Sequence, residues 1–269
     1  MTINKKLAFI GCGKMAQAII HGLLNSQATS AQNLILTARS QATRDKLTSI
    51  FPDSTIISDN EQACQEADLI VLGVKPQMMP ELCKKLKDSI KEKTVISIAA
   101  GLKIKSFLSW LDTKSVIRLM PNTPLTVGLG ASAYCLSPET PQNDKDTCEA
   151  IFTTCGIVEE VQEPQMDAVT ALSGSGPAYI FELIDSMVES SVKNGLSHET
   201  STRLACQTLI GAAEMVKTGI DTAINLKKAV TSPNGTTEAA LNQMDEDQFR
   251  TIVDRFLNKA VERSIELGQ

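Results

Sequence analysis

The chain has 269 residues, 42% of them hydrophobic and 21% charged. At roughly 150 residues per domain that allows one large or two modest domains, and the apolar share excludes a disordered chain. Lys and Arg number 26 against 31 Asp and Glu, a net charge of −5 with no basic run, so nucleic acid and anionic membrane surfaces are poor partners.

In chain order, short apolar runs at 7–10, 34–37, 55–57, 69–74, 95–98, 116–120 and 157–161 predict strands. Amphipathic stretches at 14–24, 41–47, 60–65, 79–91 and 141–152 predict the helices between them. Nearly continuous hydrophobes in the strands suit a sheet covered on both faces. The expected fold class is therefore α/β and then all-α: a doubly wound sheet over residues 1–164 and a helical domain over 165–269. In the second part Ile180, Ile184, Met187 and Val188 share one helical face. Leu204, Thr208, Leu209, Ala212 and Val216 share another, as do Phe249, Ile252, Val253, Phe256, Ala260 and Val261. Wide apolar faces on so few helices predict burial against a second copy of the chain.

Seven cysteines, with no C-x-x-C pair among them, read as reduced, buried thiols of a cytoplasmic protein. With only two histidines, His21 and His198, no metal site is expected. The longest apolar stretches fall far short of the roughly 18 residues of a membrane span. A strand-like run by Leu7 leaves no expected room for a secretory signal.

The first strand leads into Gly11-Cys12-Gly13-Lys14-Met15-Ala16, a G-x-G-x-x-A turn opening a helix. Gly11 permits the tight turn, Gly13 lets a pyrophosphate approach the backbone, and Ala16 lets the helix pack closely. Phosphates would lie at the helix N-terminus. The pattern fits a Rossmann-like sheet that binds a dinucleotide, with a plain glycine-rich turn as the alternative. The second strand ends in Thr37-Ala38-Arg39-Ser40, with no carboxylate before Asp45 to accept from a ribose 2′-hydroxyl. Arg39 offers a guanidinium for a 2′-phosphate, though it also reads as a solvated surface residue. NADPH is favoured, with NADH as the alternative. Val74-Lys75-Pro76 and Ala99-Ala100-Gly101 leave two further strands at the crevice end; Lys75 reads equally as a cofactor contact or a solvated loop lysine.

Three segments are denser in Gly, Pro, Ser and Thr than ordinary loops: Arg118 to Pro124, Leu172 to Tyr179, and Val230 to Thr237. The last two place hydroxyls and free N–H groups before helices, suited either to a carboxylate or to plain N-capping. With the glycine turn, Gln207 to Ala213, and Arg263-Ser264 with Glu266-Leu267-Gly268, these segments cover the chain in order. In this the chain resembles the pyrroline-5-carboxylate reductase family, above all in Ser-Gly-Ser-Gly-Pro-Ala-Tyr and Ser-Pro-x-Gly-Thr-Thr.

The resemblance implies NAD(P)H-dependent reduction of 1-pyrroline-5-carboxylate to L-proline, the last step of proline biosynthesis. It implies a helical C-terminal domain that interlocks two subunits, with five such dimers in some relatives. It assigns Gly11 to Ala16, Asn60, Val74, Lys75, Pro76 and Ala99, with Ala100 beside it, to the cofactor. Ser232 and the N–H groups of Gly235 and Thr236 would hold the substrate carboxylate, Thr237 the ring nitrogen, and Glu163 would lie nearby. Two departures stand out: Asn234 replaces a glycine of the usual Ser-Pro-Gly-Gly-Thr-Thr, and Ala229 stands where some relatives have Asn. Two other readings share the fold. A β-hydroxyacid-dehydrogenase-like oxidoreductase would need a catalytic helix lysine, and Lys193, alone in the first C-terminal helix, has no motif around it. A non-catalytic NADPH-binding regulator would bind cofactor without turnover.

Overall fold

The computed structural model describes residues 2–268. Among these, the first compact unit comprises residues 2–175 and 260–268, the second residues 176–259. The boundary thus lies beyond the 164/165 junction expected from the loss of strand pattern, and the end of the last helix counts with the sheet.

The first unit runs β1 (Leu7–Ile10), α1 (Lys14–Asn25), β2 (Leu34–Thr37), α2 (Gln41–Ile50), β3 (Thr55–Ile57), α3 (Asn60–Glu66), β4 (Leu69–Leu72) and α4 (Met79–Leu86). It continues through β5 (Thr94–Ser97), α5 (Ile104–Trp110), β6 (Val116–Met120), β7 (Gly130–Leu136), α6 (Gln142–Thr153), β8 (Gly156–Glu160) and α7 (Met166–Val169). One sheet has the order β3-β2-β1-β4-β5-β6-β7-β8. Its pairs are parallel except β6 with β7. The chain reverses direction of travel between β1 and β4, the switch point where an open α/β sheet leaves a crevice.

Alternation within the strands separates two cores. Leu7 and Phe9 pack with Ile19, Ile20 and Leu23 of α1 and with Ile151 and Phe152 of α6. Ala8 and Ile10 face the other way, toward Cys64 of α3, Cys83 and Leu86 of α4, and Phe107 of α5. Two elements escape the sequence reading. α5 spans only seven residues, and β7 reads Gly-Ala-Ser-Ala-Tyr-Cys-Leu, too poor in bulky side chains to look like a strand. The helix expected over 79–91 stops at Leu86 and continues as a 3-10 turn.

The second unit is helical: α8 (Gly176–Lys193), α9 (His198–Lys217), α10 (Ala223–Ala229), α11 (Thr236–Glu246) and the first part of α12 (Phe249–Leu267). Among its described residues only Val188, Ser201 and Ala205 are buried. Ile180 is 47% exposed, Leu204 56% and Ile252 48%, so much of each apolar face read from sequence is left uncovered within this unit.

All seven cysteines are free and six are buried. Burial pushes the thiols of Cys12, Cys64, Cys83 and Cys135 from 9.0 up to about 12. Thiols of the unfolded chain ionise near pH 9 while these keep their protons, so folding stability is complete below pH 9 and falls as pH rises toward 12. Urea unfolding followed from about pH 8 to about pH 11 should show a declining midpoint, and Cys83→Ala should make the decline shallower. A midpoint equally pH-dependent with and without Cys83 would contradict this.

Candidate active site

The β1–α1 turn is fixed by contacts from both neighbouring strands. Gly11 is left-handed, with φ 88°, and an added Cβ would lie 2.6 Å from Val74 Cγ1. Its N–H donates to Thr37 Oγ1 at 3.2 Å, and the N–H of Cys12 donates to the Thr37 carbonyl at 3.2 Å. Gln17 closes the turn from the helix side, its Nε2 donating to the Cys12 carbonyl at 2.8 Å. Gly13 differs: its φ is an ordinary −71°, and an added Cβ would meet nothing within 4 Å. The absence of a side chain there leaves space in front of α1. No side chain caps α1, and no acid lies in its first turn. Its leading N–H groups and positive dipole end are therefore available to an anion.

This helix end opens into a cleft of about 740 Å³. Gly11, Cys12, Gly13, Arg39, Asn60, Val74 and Lys75, all expected at the cofactor, line it. Lys14, Met15, Ala16, Pro76, Ala99 and Ala100 do not. Ala16 is buried in the core under α1, where its small size allows the close packing expected of it. Ala99 is also buried, its N–H donating to Ser97 Oγ at 3.3 Å. The Cys12 side chain turns inward toward the Phe9 carbonyl, so only its backbone serves the cleft.

Arg39 is exposed on the cleft wall and donates to no other described residue. Arg44 has a different task. Its guanidinium donates to the carbonyls of Ala38 at 2.9 Å and Arg39 at 2.7 Å, bracing the loop that carries Arg39. Ser40 caps α2 by accepting from the Thr43 N–H at 3.2 Å. Asp59 caps α3 through the N–H groups of Glu61 and Gln62, which sets Asn60 at the wall.

The other motif-rich segments of the first unit come together. Asn122 Nδ2 donates to the Ser173 carbonyl at 3.1 Å, and its Oδ1 accepts from the Ala131 N–H at 2.9 Å. Ser173 Oγ donates to the Val169 carbonyl at 3.0 Å within a π-helical turn over Thr170–Gly174. The Ser173 hydroxyl is therefore neither a helix cap nor free. Glu163 Oε1 accepts from the Ile104 N–H at 2.7 Å and faces the buried Arg118 guanidinium at 3.5 Å. Glu163 thereby holds the start of α5, just after Ala99-Ala100-Gly101.

In the second unit, Ser232 to Gly235 form a turn closed by the Gly235 N–H donating to the Ser232 carbonyl at 3.0 Å. Gly235, expected to offer its N–H to a carboxylate, uses it here. α11 begins at Thr236 without a side-chain cap, which leaves the N–H groups of Thr236 and Thr237 at its leading end.

Residues 163–267 match the family described as pyrroline-5-carboxylate reductase dimerisation, and residues 6–101 match NADP oxidoreductase coenzyme F420-dependent. The chain is 39% identical to the pyrroline-5-carboxylate reductase of Vibrio alginolyticus, covering 98% of both chains. It is 38% identical to that of Pseudomonas aeruginosa, over 98% of this chain and 97% of the relative. The chain belongs to the pyrroline-5-carboxylate reductase family. Among solved members, the Coxiella burnetii reductase superposes with a TM-score of 0.93 at 34% identity, covering 99% of this chain and 100% of that one. The Plasmodium falciparum reductase with NADP bound superposes with a TM-score of 0.90 at 34% identity over all of both chains.

Sequence reasoning missed Thr37, Ser40, Thr43, Ser58, Met78 and Leu82 in the reductase cleft. Ser40 and Thr43 carry a legible cap spacing, and Met78 and Leu82 lie four apart on one apolar face. Thr37 gives no such hint. The open space at Gly13 separates binding from folding: Gly13→Val should leave the urea midpoint nearly unchanged while NADPH affinity, by fluorescence titration, falls at least about tenfold. Unaltered affinity would remove the helix end from the binding site.

Proposed function

We propose that the chain reduces 1-pyrroline-5-carboxylate to L-proline, taking NADPH in preference to NADH. The observation that carries the cofactor half is the uncapped α1 terminus facing the space that Gly13 leaves open. The residues fit a dinucleotide: a glycine cradle, a wall without a carboxylate at the end of β2, and an exposed guanidinium at Arg39. The family supplies the substrate half.

When bound, the reduced nicotinamide supplies a hydride for the imine carbon. The chain's own residues bind and orient. The leading N–H groups of α1, from Lys14 to Ala16, hold the pyrophosphate. Arg39, presented by the Arg44 brace, pairs with the 2′-phosphate. Lys75 and Asn60 line the wall, and the resemblance alone assigns Pro76, Ala99 and Ala100, outside that lining, to the ring end. Glu163 is a positioning residue that fixes the start of α5 behind the Ala99-Ala100-Gly101 loop. Ser232 and the N–H groups of Thr236, with Gly235 shaping the turn, anchor the substrate carboxylate. Thr237 is assigned as the catalytic hydroxyl that orients the ring nitrogen. A hydroxyl is too weak an acid to be the main proton source, so the nitrogen is protonated from solution before the hydride arrives. Catalysis is alignment and electrostatic anchoring.

The second unit's uncovered apolar faces and the dimerisation match support a homodimer. The finer assembly, five dimers in a decamer, rests on the resemblance alone. A cytoplasmic location is supported by seven free cysteines; no described helix is long and apolar enough to cross a membrane.

Thr237→Ala should lower kcat with the imino acid by roughly tenfold or more while NADPH affinity holds. Unchanged turnover in steady-state assays would remove Thr237 from the site. Arg39→Ala should raise the KM for NADPH by roughly tenfold and leave that for NADH nearly unaltered, so an equal effect on both would refute the 2′-phosphate assignment.

A further inference from the structure

The Ser232 to Thr237 loop departs from its family pattern at one residue, and the structure shows what accompanies the change. Pro233 and Asn234 are the central pair of the turn. Asn234 is left-handed, with φ 58°. A turn with Pro second and a positive φ third is built for glycine at the third position, and Asn adopts that conformation only at some cost. The turn's own hydrogen bond, from the Gly235 N–H to the Ser232 carbonyl, leaves the N–H of Asn234 unclaimed. Glu238, in the first turn of α11, takes it: Asn234 N to Glu238 Oε2 is 2.8 Å. A carboxylate in the first turn of a helix is itself favoured by the helix dipole. The same side chain therefore belongs to α11 and fastens the turn that precedes it.

The turn has little freedom elsewhere. An added Cβ on Gly235 would come within 2.4 Å of Ser232 Oγ, so the Ser232 hydroxyl lies close over the residue that precedes the helix. A change at Asn234 φ must move Ser232 relative to the Thr236 and Thr237 N–H groups. Of these, Ser232 and the Thr236 N–H are the groups assigned above to the substrate carboxylate.

We infer that Glu238 is a positioning residue for the imino-acid site, holding Asn234 in the left-handed turn that a glycine would adopt unaided. The inference rests on the reading of this loop as the carboxylate anchor. Glu238 touches no reacting atom and works through the Asn234 N–H. Its effect therefore depends on which residue occupies position 234. With glycine there, the clamp is dispensable, so the two substitutions must be non-additive. The role belongs to the acceptor oxygen and not to the charge, since an amide oxygen can accept the same N–H.

The test is steady-state kinetics with both substrates varied, on Glu238→Ala, Glu238→Gln, Asn234→Gly and the double variant Asn234→Gly with Glu238→Ala. Glu238→Ala should raise the KM for the imino acid by roughly fivefold to tenfold, with the KM for NADPH and the melting temperature nearly unchanged. Glu238→Gln should stay within about twofold of the parent. The double variant should recover most of the lost affinity, as a general weakening of α11 would not. Parent-like kinetics for Glu238→Ala, or a double variant as impaired as the single one, would overturn the inference. Ser232→Ala and Thr237→Ala run alongside distinguish the two failures. If they impair turnover and Glu238→Ala does not, only the clamp is wrong; if neither they nor Glu238→Ala has an effect, the loop is not the carboxylate anchor.

Discussion

A side chain at Gly11 would collide with Val74, and much of the first unit's functional geometry follows from that close approach. It joins the exits of β1 and β4 at the switch point of the sheet, where consecutive crossovers go to opposite sides. It also sends the chain into α1 with no residue available to cap it, so the helix opens on the cleft with its N–H groups unsatisfied. Thr37 completes the arrangement from β2 by accepting the Gly11 N–H. The glycine turn is thus tied on one side to Thr37 and packed on the other against Val74.

The second unit solves a different physical problem. Its helices are long and amphipathic, yet almost nothing in it is buried. An 84-residue stretch (176–259) without a core of its own cannot repay the entropy of ordering its backbone from within. The apolar faces become intelligible as half of an interface, which agrees with the dimerisation family matched by residues 163–267.

How much of this the sequence disclosed depended on the range of the interaction. The β1 strand, the glycine turn and α1 were legible because their constraints are local: strand hydrophobes, small residues at fixed offsets, a helical period. β7 was not, since its first half, Gly-Ala-Ser, carries no bulky side chain and leaves only the short run Ala133 to Leu136. Thr37 was read only as the end of a strand, because its bond to Gly11 joins residues 26 apart. Glu163 was placed near the substrate by resemblance, whereas its bond to the Ile104 N–H spans 59 positions and no local pattern encodes it. Asn234 is the instructive middle case. Its left-handed backbone was foreseeable from residue type, but the carboxylate that secures it was visible only in three dimensions.

In the proposed reaction a hydride passes directly from a reduced nicotinamide to the imine carbon of the five-membered ring. The most direct measurement is turnover of 1-pyrroline-5-carboxylate with NADPH deuterated at C4 on the transferring face, with the product examined by NMR. Direct transfer predicts L-proline carrying one deuterium at C5, formed in step with NADPH oxidation. Proline without deuterium, or bound NADPH that is never oxidised in the presence of the imine, would contradict it.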